Sequence, residues 1–388
     1  MMNQGHTMRF CFLKKMSYNR VYSHERKGTM IKKYIAFLLI IACCLGYLSA
    51  EEEDNCKDRL IFSPLMYYTP ETRLAFGGAG SYIFRIAGCQ GSTRLSSISP
   101  LVIYTLEKQF RALVKSELYF KNNNYRLESE IKFEKYPNKF FGIGSLTREA
   151  DEEIYTSKSI NVRLSVLKKL VKGFHLGLGY HFMDWSIPIV EAGGQLASGE
   201  IAGSDRGTIS GVGLILYRDT RDHLFSPMKG DLFKLDARLY PKFLGSTFEF
   251  TTFTLDLRKY FPLFSSHVFA VQSLVKIQTG TVPFLNLAQM GGQYTMRGYF
   301  EGRYRDKNLL VFQAEYRVPV VWRLGLVGFA GLGNVAERFN QLDLGKLKSA
   351  YGFGLRYLFS KTEKIQLRFD IGFGEGSPGF YASIYEAF

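Results

Sequence analysis

A chain of 388 residues, 46% hydrophobic and 22% charged, could hold two or three soluble domains, so length alone bounds little. Its aromatic content of 15%, mostly Tyr and Phe, and its 38 glycines spread through the chain suit strands whose outer face meets lipid and whose ends carry an aromatic girdle. The formal charge of +15 overstates the basicity: residues 1–50 hold eight Lys/Arg and one acid, Glu25, leaving 42 basic against 34 acidic residues, and these recur along strands instead of forming the basic patch that marks a nucleic-acid binder.

Ile31-Lys32-Lys33 followed by Tyr34–Leu48 reads as the charged and apolar regions of a signal peptide. Ser49-Ala50 places small residues before the acidic run Glu51–Asp54, so the simplest cleavage point is after Ala50. Ile40-Ile41-Ala42-Cys43 also fits a lipoprotein box, which would put a lipid on Cys43. Residues 1–29 precede a second plausible start, Met30, and read as an extension. Of the five cysteines, Cys11, Cys43 and Cys44 fall in or before the leader. Cys56 and Cys89 remain, either as one bridge in an oxidising compartment or as two separate thiols. The organisation expected is therefore a leader over 1–50, a short periplasmic segment over 51–71 and a barrel over 72–388.

From Thr72 onward the pattern has period two, the mark of strands with two unlike faces. In Tyr125–Lys135, Leu127, Ser129, Ile131 and Phe133 oppose Arg126, Glu128, Glu130, Lys132 and Glu134. In Phe250–Tyr260, Phe253, Leu255 and Leu257 oppose Thr254, Asp256 and Arg258. In Lys364–Gly374, Ile365, Leu367, Phe369, Ile371 and Phe373 oppose Gln366, Arg368, Asp370, Gly372 and Gly374. A sheet closed into a membrane barrel accounts for a charged face opposite so apolar a one, because its backbone groups are satisfied between strands and its polar face lines the lumen. Such runs predict strands near 72–87, 92–106, 109–121, 124–136, 155–169, 172–184, 206–218, 230–240, 248–261, 266–279, 308–318, 321–336, 349–360, 363–374 and 379–388. Bacterial barrels have an even count. The missing strand is expected around Phe140–Leu146, after Pro137, and Asp184–Asp205 is expected as the longest external loop.

Catalytic and metal signals are poor: there is no G-x-S-x-G, no C-x-x-C and no phosphate-cradling Gly-Lys element, and nothing completes a coordination set around His175, His181 and Asp184. The pairs Gly177/Gly179, Gly211/Gly213 and Gly352/Gly354 lie on one strand face, where they relieve crowding. No cofactor, metal or enzymatic activity is expected.

Two motifs carry more. Tyr217-Arg218-Asp219-Thr220-Arg221-Asp222 continues through Phe225-Ser226-Pro227-Met228-Lys229-Gly230, where Pro227 fixes φ and Gly230 permits a positive one, so the segment reads as a rigid turn. Gly291-Gly292-Gln293-Tyr294-Thr295-Met296-Arg297-Gly298-Tyr299 is a loop between two amphipathic strands, five strands before a final Phe388. The first resembles the DTRD…FP.(K/R)G element, and the second the (V/M)RG(Y/F) loop, of the BamA/TamA outer-membrane barrel family, the bacterial surface antigen family. The resemblance runs from about Thr72 to Phe388 and implies an all-β transmembrane antiparallel barrel of sixteen strands in the bacterial outer membrane, with the Met296-Arg297-Gly298-Tyr299 loop folded into its lumen.

Within that resemblance Glu315 falls where relatives place an acid that receives the loop arginine, and alternation turns Gln313, Glu315 and Arg317 inward against outward Leu310, Phe312, Ala314 and Tyr316. A second family acid belongs in an F-x-D-x-G motif, but here Phe329-Ala330-Gly331-Leu332-Gly333 has Gly331 in its place, so Asp370 is the expected substitute. The terminal Phe388 is similar to the recognition signal of outer-membrane barrels, although Glu386 departs from strict alternation and suggests a bulge or a rim position. Relatives carry POTRA modules ahead of the barrel, whereas Glu51–Pro70 falls short of the ~50 residues of a folded domain, so a member without them is expected. The resemblance further implies insertion, assembly or translocation of proteins at the outer membrane, through a seam between first and last strands. The expected partners are membrane lipid and lipopolysaccharide, with unfolded outer-membrane proteins or a periplasmic protein. The alternative is a transport or surface barrel that keeps the fold without assembly.

Overall fold

The computed structural model describes residues 58–86, 93–224, 226–264, 266–360, 365–376 and 378–388. The leader, the Cys43 lipid site, all five cysteines and Phe225 lie outside the described residues. Sixteen antiparallel strands close into one barrel. They are β1 Arg59–Thr69, β2 Arg73–Phe84, β3 Ser96–Thr105, β4 Phe110–Phe120, β5 Tyr125–Phe140, β6 Glu153–Lys169, β7 Phe174–Val190 and β8 Arg206–Asp219. The wall continues with β9 Gly230–Tyr240, β10 Phe250–Leu263, β11 His267–Gly280, β14 Asn308–Val321, β15 Leu324–Ala336, β16 Lys348–Ser360, β17 Ile365–Phe373 and β18 Gly379–Ile384. Two short strands, β12 Ala288–Met290 and β13 Tyr304–Asp306, make a separate small sheet inside the connection from β11 to β14.

Period-two alternation builds this wall as expected. On β7, Leu176 and Leu178 are exposed outward while Gly177 and Gly179 are buried toward the lumen. A Cβ at residue 179 would approach the Arg238 guanidinium to 3.1 Å, so that glycine yields lumen space to a neighbouring cation.

Four expectations need correction. The sixteenth strand is β1, not Phe140–Leu146, and the barrel therefore begins at Arg59 inside the segment expected to precede it. Arg59–Thr69 hides its alternation because Leu60, Ile61 and Phe62 are apolar in succession and Pro64 interrupts the run. Pro137 does not end a strand, since β5 continues through it to Phe140, opposite Glu153. β7 likewise extends past Asp184 to Val190, which shortens the loop before β8 to 191–205. Finally, β18 ends at Ile384: Tyr385 takes a φ of +69° and turns Glu386 and Phe388 into the interior, both less than a tenth exposed.

The connections 141–152, 191–205, 281–307 and 337–347 all leave from the rim opposite the start of β1. Strand ends and loops pack there into a buried cluster that includes Phe140, Tyr155, Trp185, Leu196, Phe250 and Phe284, and the Trp185 indole donates to the Gly203 carbonyl at 3.0 Å. That apolar cluster ties the loops of this rim to the strand ends.

Candidate functional site: the lumen loop and the seam

The connection from β11 to β14 descends into the barrel, because its polar backbone and side chains find partners there on several walls. Met296 N–H donates to Gln313 on β14 at 3.0 Å, and the Tyr299 hydroxyl donates to the Ser349 carbonyl on β16 at 2.9 Å. Met296 itself has a φ of +86°, a conformation that costs a non-glycine residue of order 1–3 kcal/mol and persists only where neighbours hold it. Gly298, at φ +111°, presses against β17. A Cβ on it would lie 2.7 Å from the Phe373 backbone, and one on Gly372 would lie 2.7 Å from Gly298 N. Loop and wall thus touch backbone to backbone, which only glycine on both sides allows.

This contact aims Arg297 at two carboxylates. Its guanidinium donates to Glu315 on β14 and to Asp370 on β17, with all three side chains at most 1% exposed. It also lies 3.7 Å over the Phe329 ring. The structure therefore brings the two expected partners together on Arg297. Gly331 leaves room for the Met296 sulfur, which a Cβ there would meet at 3.1 Å. A methionine fills the space beside the altered F-x-D-x-G position, and the carboxylate comes from β17.

The cluster is larger than the sequence suggested. Arg317 donates to Glu315 at 2.8 Å and to the Phe388 carbonyl oxygen at 3.0 Å. Arg356 donates to Asp370 at 2.6 Å and to Glu386 at 2.8 Å. Arg368 lies opposite Arg356 on the facing strand, with its Nε 3.6 Å from Asp370. Like charges opposite each other destabilise a sheet; here Asp370 stands between the two, bonded to Arg356 and facing Arg368. Alternation already turns Arg317 and Arg368 to the polar face; Arg356 on β16 is the member that sequence reasoning missed, and the same alternation could have found it.

The turn motif sits at the rim where β1 begins, between β8 and β9. Asp219 accepts from the Arg221 side chain at 2.7 and 2.9 Å and from its N–H at 3.1 Å. Asp222 accepts from Met228 and Lys229 N–H, Thr220 Oγ1 accepts from Asp231 N–H at 2.9 Å, and Gly230 takes a φ of +102°. Pro227 offers its carbonyl to Arg317 at 3.3 Å, and Met228 packs on the cluster of Tyr260, Val268, Ala270 and Phe388. Turn motif, final aromatic and loop arginine, far apart in the chain, are thus linked through Arg317. His181 bonds the Tyr240 hydroxyl at 2.7 Å. No cluster of three potential metal ligands occurs among the described residues.

One junction of the wall differs from the others. β1 pairs with β2 along its whole length, from Arg59 opposite Ile83 to Thr69 opposite Arg73. Against β18 it has a single pairing, Tyr68 opposite Ala382. Leu60 and Phe62, both more than 60% exposed, lie on the outward face of β1. Beside this seam, the Tyr381 hydroxyl on β18 accepts from Gly298 N–H at 3.1 Å and donates to the Tyr299 carbonyl at 3.3 Å. Glu71, in the turn after β1, accepts from Glu301 N–H at 2.7 Å. Burial pushes the Glu71 carboxyl up to about 7, with the nearby Glu301 adding to the rise.

Comparison with known proteins agrees with this architecture. The Omp85 superfamily domain matches residues 103–384. The barrel is similar to BamA from Haemophilus ducreyi lacking POTRA domains 1-3, at 14% identity and a TM-score of 0.60, covering 85% of this chain and 71% of that one. It is also similar to CdiB from Escherichia coli (10% identity, TM-score 0.52, 86% and 68% covered) and to CdiB from Acinetobacter baumannii (12%, 0.50, 84% and 59%). No curated protein matches it by sequence.

Proposed function

The chain belongs to the Omp85 superfamily, and on that premise we propose that it resides in the bacterial outer membrane and inserts, assembles or translocates proteins there, without enzymatic chemistry of its own. The observation that carries this reading is the seam. Backbone N–H and C=O groups left unpaired at lipid depth cost several kcal/mol each, so a barrel gains by closing completely. Here β1 leaves most of one edge without a partner next to a β18 of six residues. Such an edge is a template for another strand, which would recover those hydrogen bonds by pairing with it. Pro64, which has no N–H, lies within that edge and limits how regular such a ladder can become.

The lumen supports the same reading over passive transport, since the loop and its arginine cluster are bonded to the inner wall on β14, β16 and β17. The partners consistent with this are membrane lipid and lipopolysaccharide on the outer wall and an unfolded outer-membrane protein at the β1 edge. Cysteines placed at Tyr68 and Ala382 would lock the seam on oxidation. Locked protein is expected to leave other outer-membrane barrels depleted, and reductant to restore them. An unchanged outer-membrane proteome after both locking and depletion of the protein, with altered permeability, would instead assign a transport role.

A further inference from the structure

We propose that the lumen loop is the clasp of the seam: it closes the barrel wall where the two terminal strands scarcely close it themselves. The loop holds one side of the seam through Tyr381 of β18, whose hydroxyl is bonded to both Gly298 and Tyr299. It holds the other side three residues later, where Glu301 N–H donates to Glu71 in the turn that follows β1. Both attachments are buried: Tyr381 is 2% and Glu71 5% exposed. Between them the strands share the single Tyr68–Ala382 pairing. The loop is itself fixed away from the seam, by Arg297 on β14 and β17 and by Tyr299 on β16.

A loop anchored on three interior strands and bonded to both lips of an almost unpaired junction is a bridge across it. Separating β1 from β18 then requires either lip to leave the loop. A client strand that enters the seam must displace one of these bonds as well as the Tyr68–Ala382 pairing. The two lips are also unlike. The β18 lip is held through a neutral phenol, while the β1 lip is held through a carboxyl with a second carboxyl, Glu301, close by.

The proposal rests on the seam being the working edge, and it is tested in purified full-length barrel without any client, so its failure is distinguishable from failure of the assembly reading. Spin labels are placed at Phe62 of β1 and Phe380 of β18, both exposed, in protein whose own cysteines are replaced by serine. The expected result is one narrow distance in the parent and a broadened, longer distribution in Tyr381→Phe and in Glu71→Ala. Arg163→Gln, which cuts an ion pair between β5 and β6 that does not touch the loop, is expected to keep the parent distribution. Each variant is read only after heat-modifiable gel mobility shows an assembled barrel; if Glu71→Ala fails to assemble, Tyr381→Phe decides alone. Distances in Tyr381→Phe identical to the parent, or equal broadening in Arg163→Gln, would overturn the clasp.

Discussion

The wall between β5 and β7 and the junction between β18 and β1 are built in opposite ways. On the first, β6 is laddered to β5 from Phe140–Glu153 to Tyr125–Lys168, and to β7 nearly as far. The lumen side chains there form partly exposed pairs, among them Arg163–Glu130 at 3.3 Å and Lys132–Glu134 at 2.6 Å. At the second junction the ladder shrinks to one pairing, and a loop with fully buried arginine, carboxylate and phenol contacts spans the gap. Where the backbone satisfies itself, the side chains need not close the wall. Where it does not, a tertiary contact must do the closing, and its geometry is correspondingly exact in polarity and burial. Backbone ladders thus close most of this wall, and contacts to one loop close it beside the seam.

Breaking the loop anchor is expected to have the largest effect. Arg297→Ala leaves Glu315 and Asp370 buried beside the remaining arginines without their shared partner, and removing one member of a buried ion pair costs about 3–5 kcal/mol. Heat-modifiable gel mobility should show the folded band lost at a much lower temperature, or no folded band. Unchanged mobility would mean the loop does not hold the barrel.

Acidity probes the β1 side of the clasp. Glu71 titrates near 7 in the folded protein instead of near 4.5, because burial disfavours its charged form. A raised carboxyl stabilises the fold fully below the unfolded value, and that contribution is lost as pH rises through the folded one. Between about pH 4.5 and 7 its contribution falls by at most about 1.4 kcal/mol per pH unit, and it is constant above that range. The other titratable groups around it are Glu301, Tyr68, Tyr136 and Tyr381. Melting of the parent across this window should show a decline that Glu71→Gln removes; parallel curves would contradict it.

Smaller effects sharpen the contrast. Tyr381→Phe deletes one hydroxyl that serves two loop groups, a loss of about 1 kcal/mol on the usual scale of a hydrogen bond, visible as a modest drop in melting temperature. On the opposite wall, Arg163→Gln removes an exposed pair and should change stability by less than about 0.5 kcal/mol. If Arg163→Gln proved as damaging as Tyr381→Phe, the two regions would not differ as described.

Sequence alone determined the barrel, because a strand between lipid and lumen must alternate, and fifteen runs displayed that alternation. It also pointed to Arg297, Glu315 and Asp370 through motif resemblance and strand parity. It missed β1, whose consecutive apolar residues and Pro64 blur the period on a strand with one nearly empty edge. It placed Phe388 on a last strand, whereas a single positive φ at Tyr385 sends that aromatic inside. Only the tertiary structure decided the clasp. Glu71 and Glu301 lie 230 residues apart, and their hydrogen bond is to a backbone N–H, a group every residue but proline carries and no residue pattern can mark.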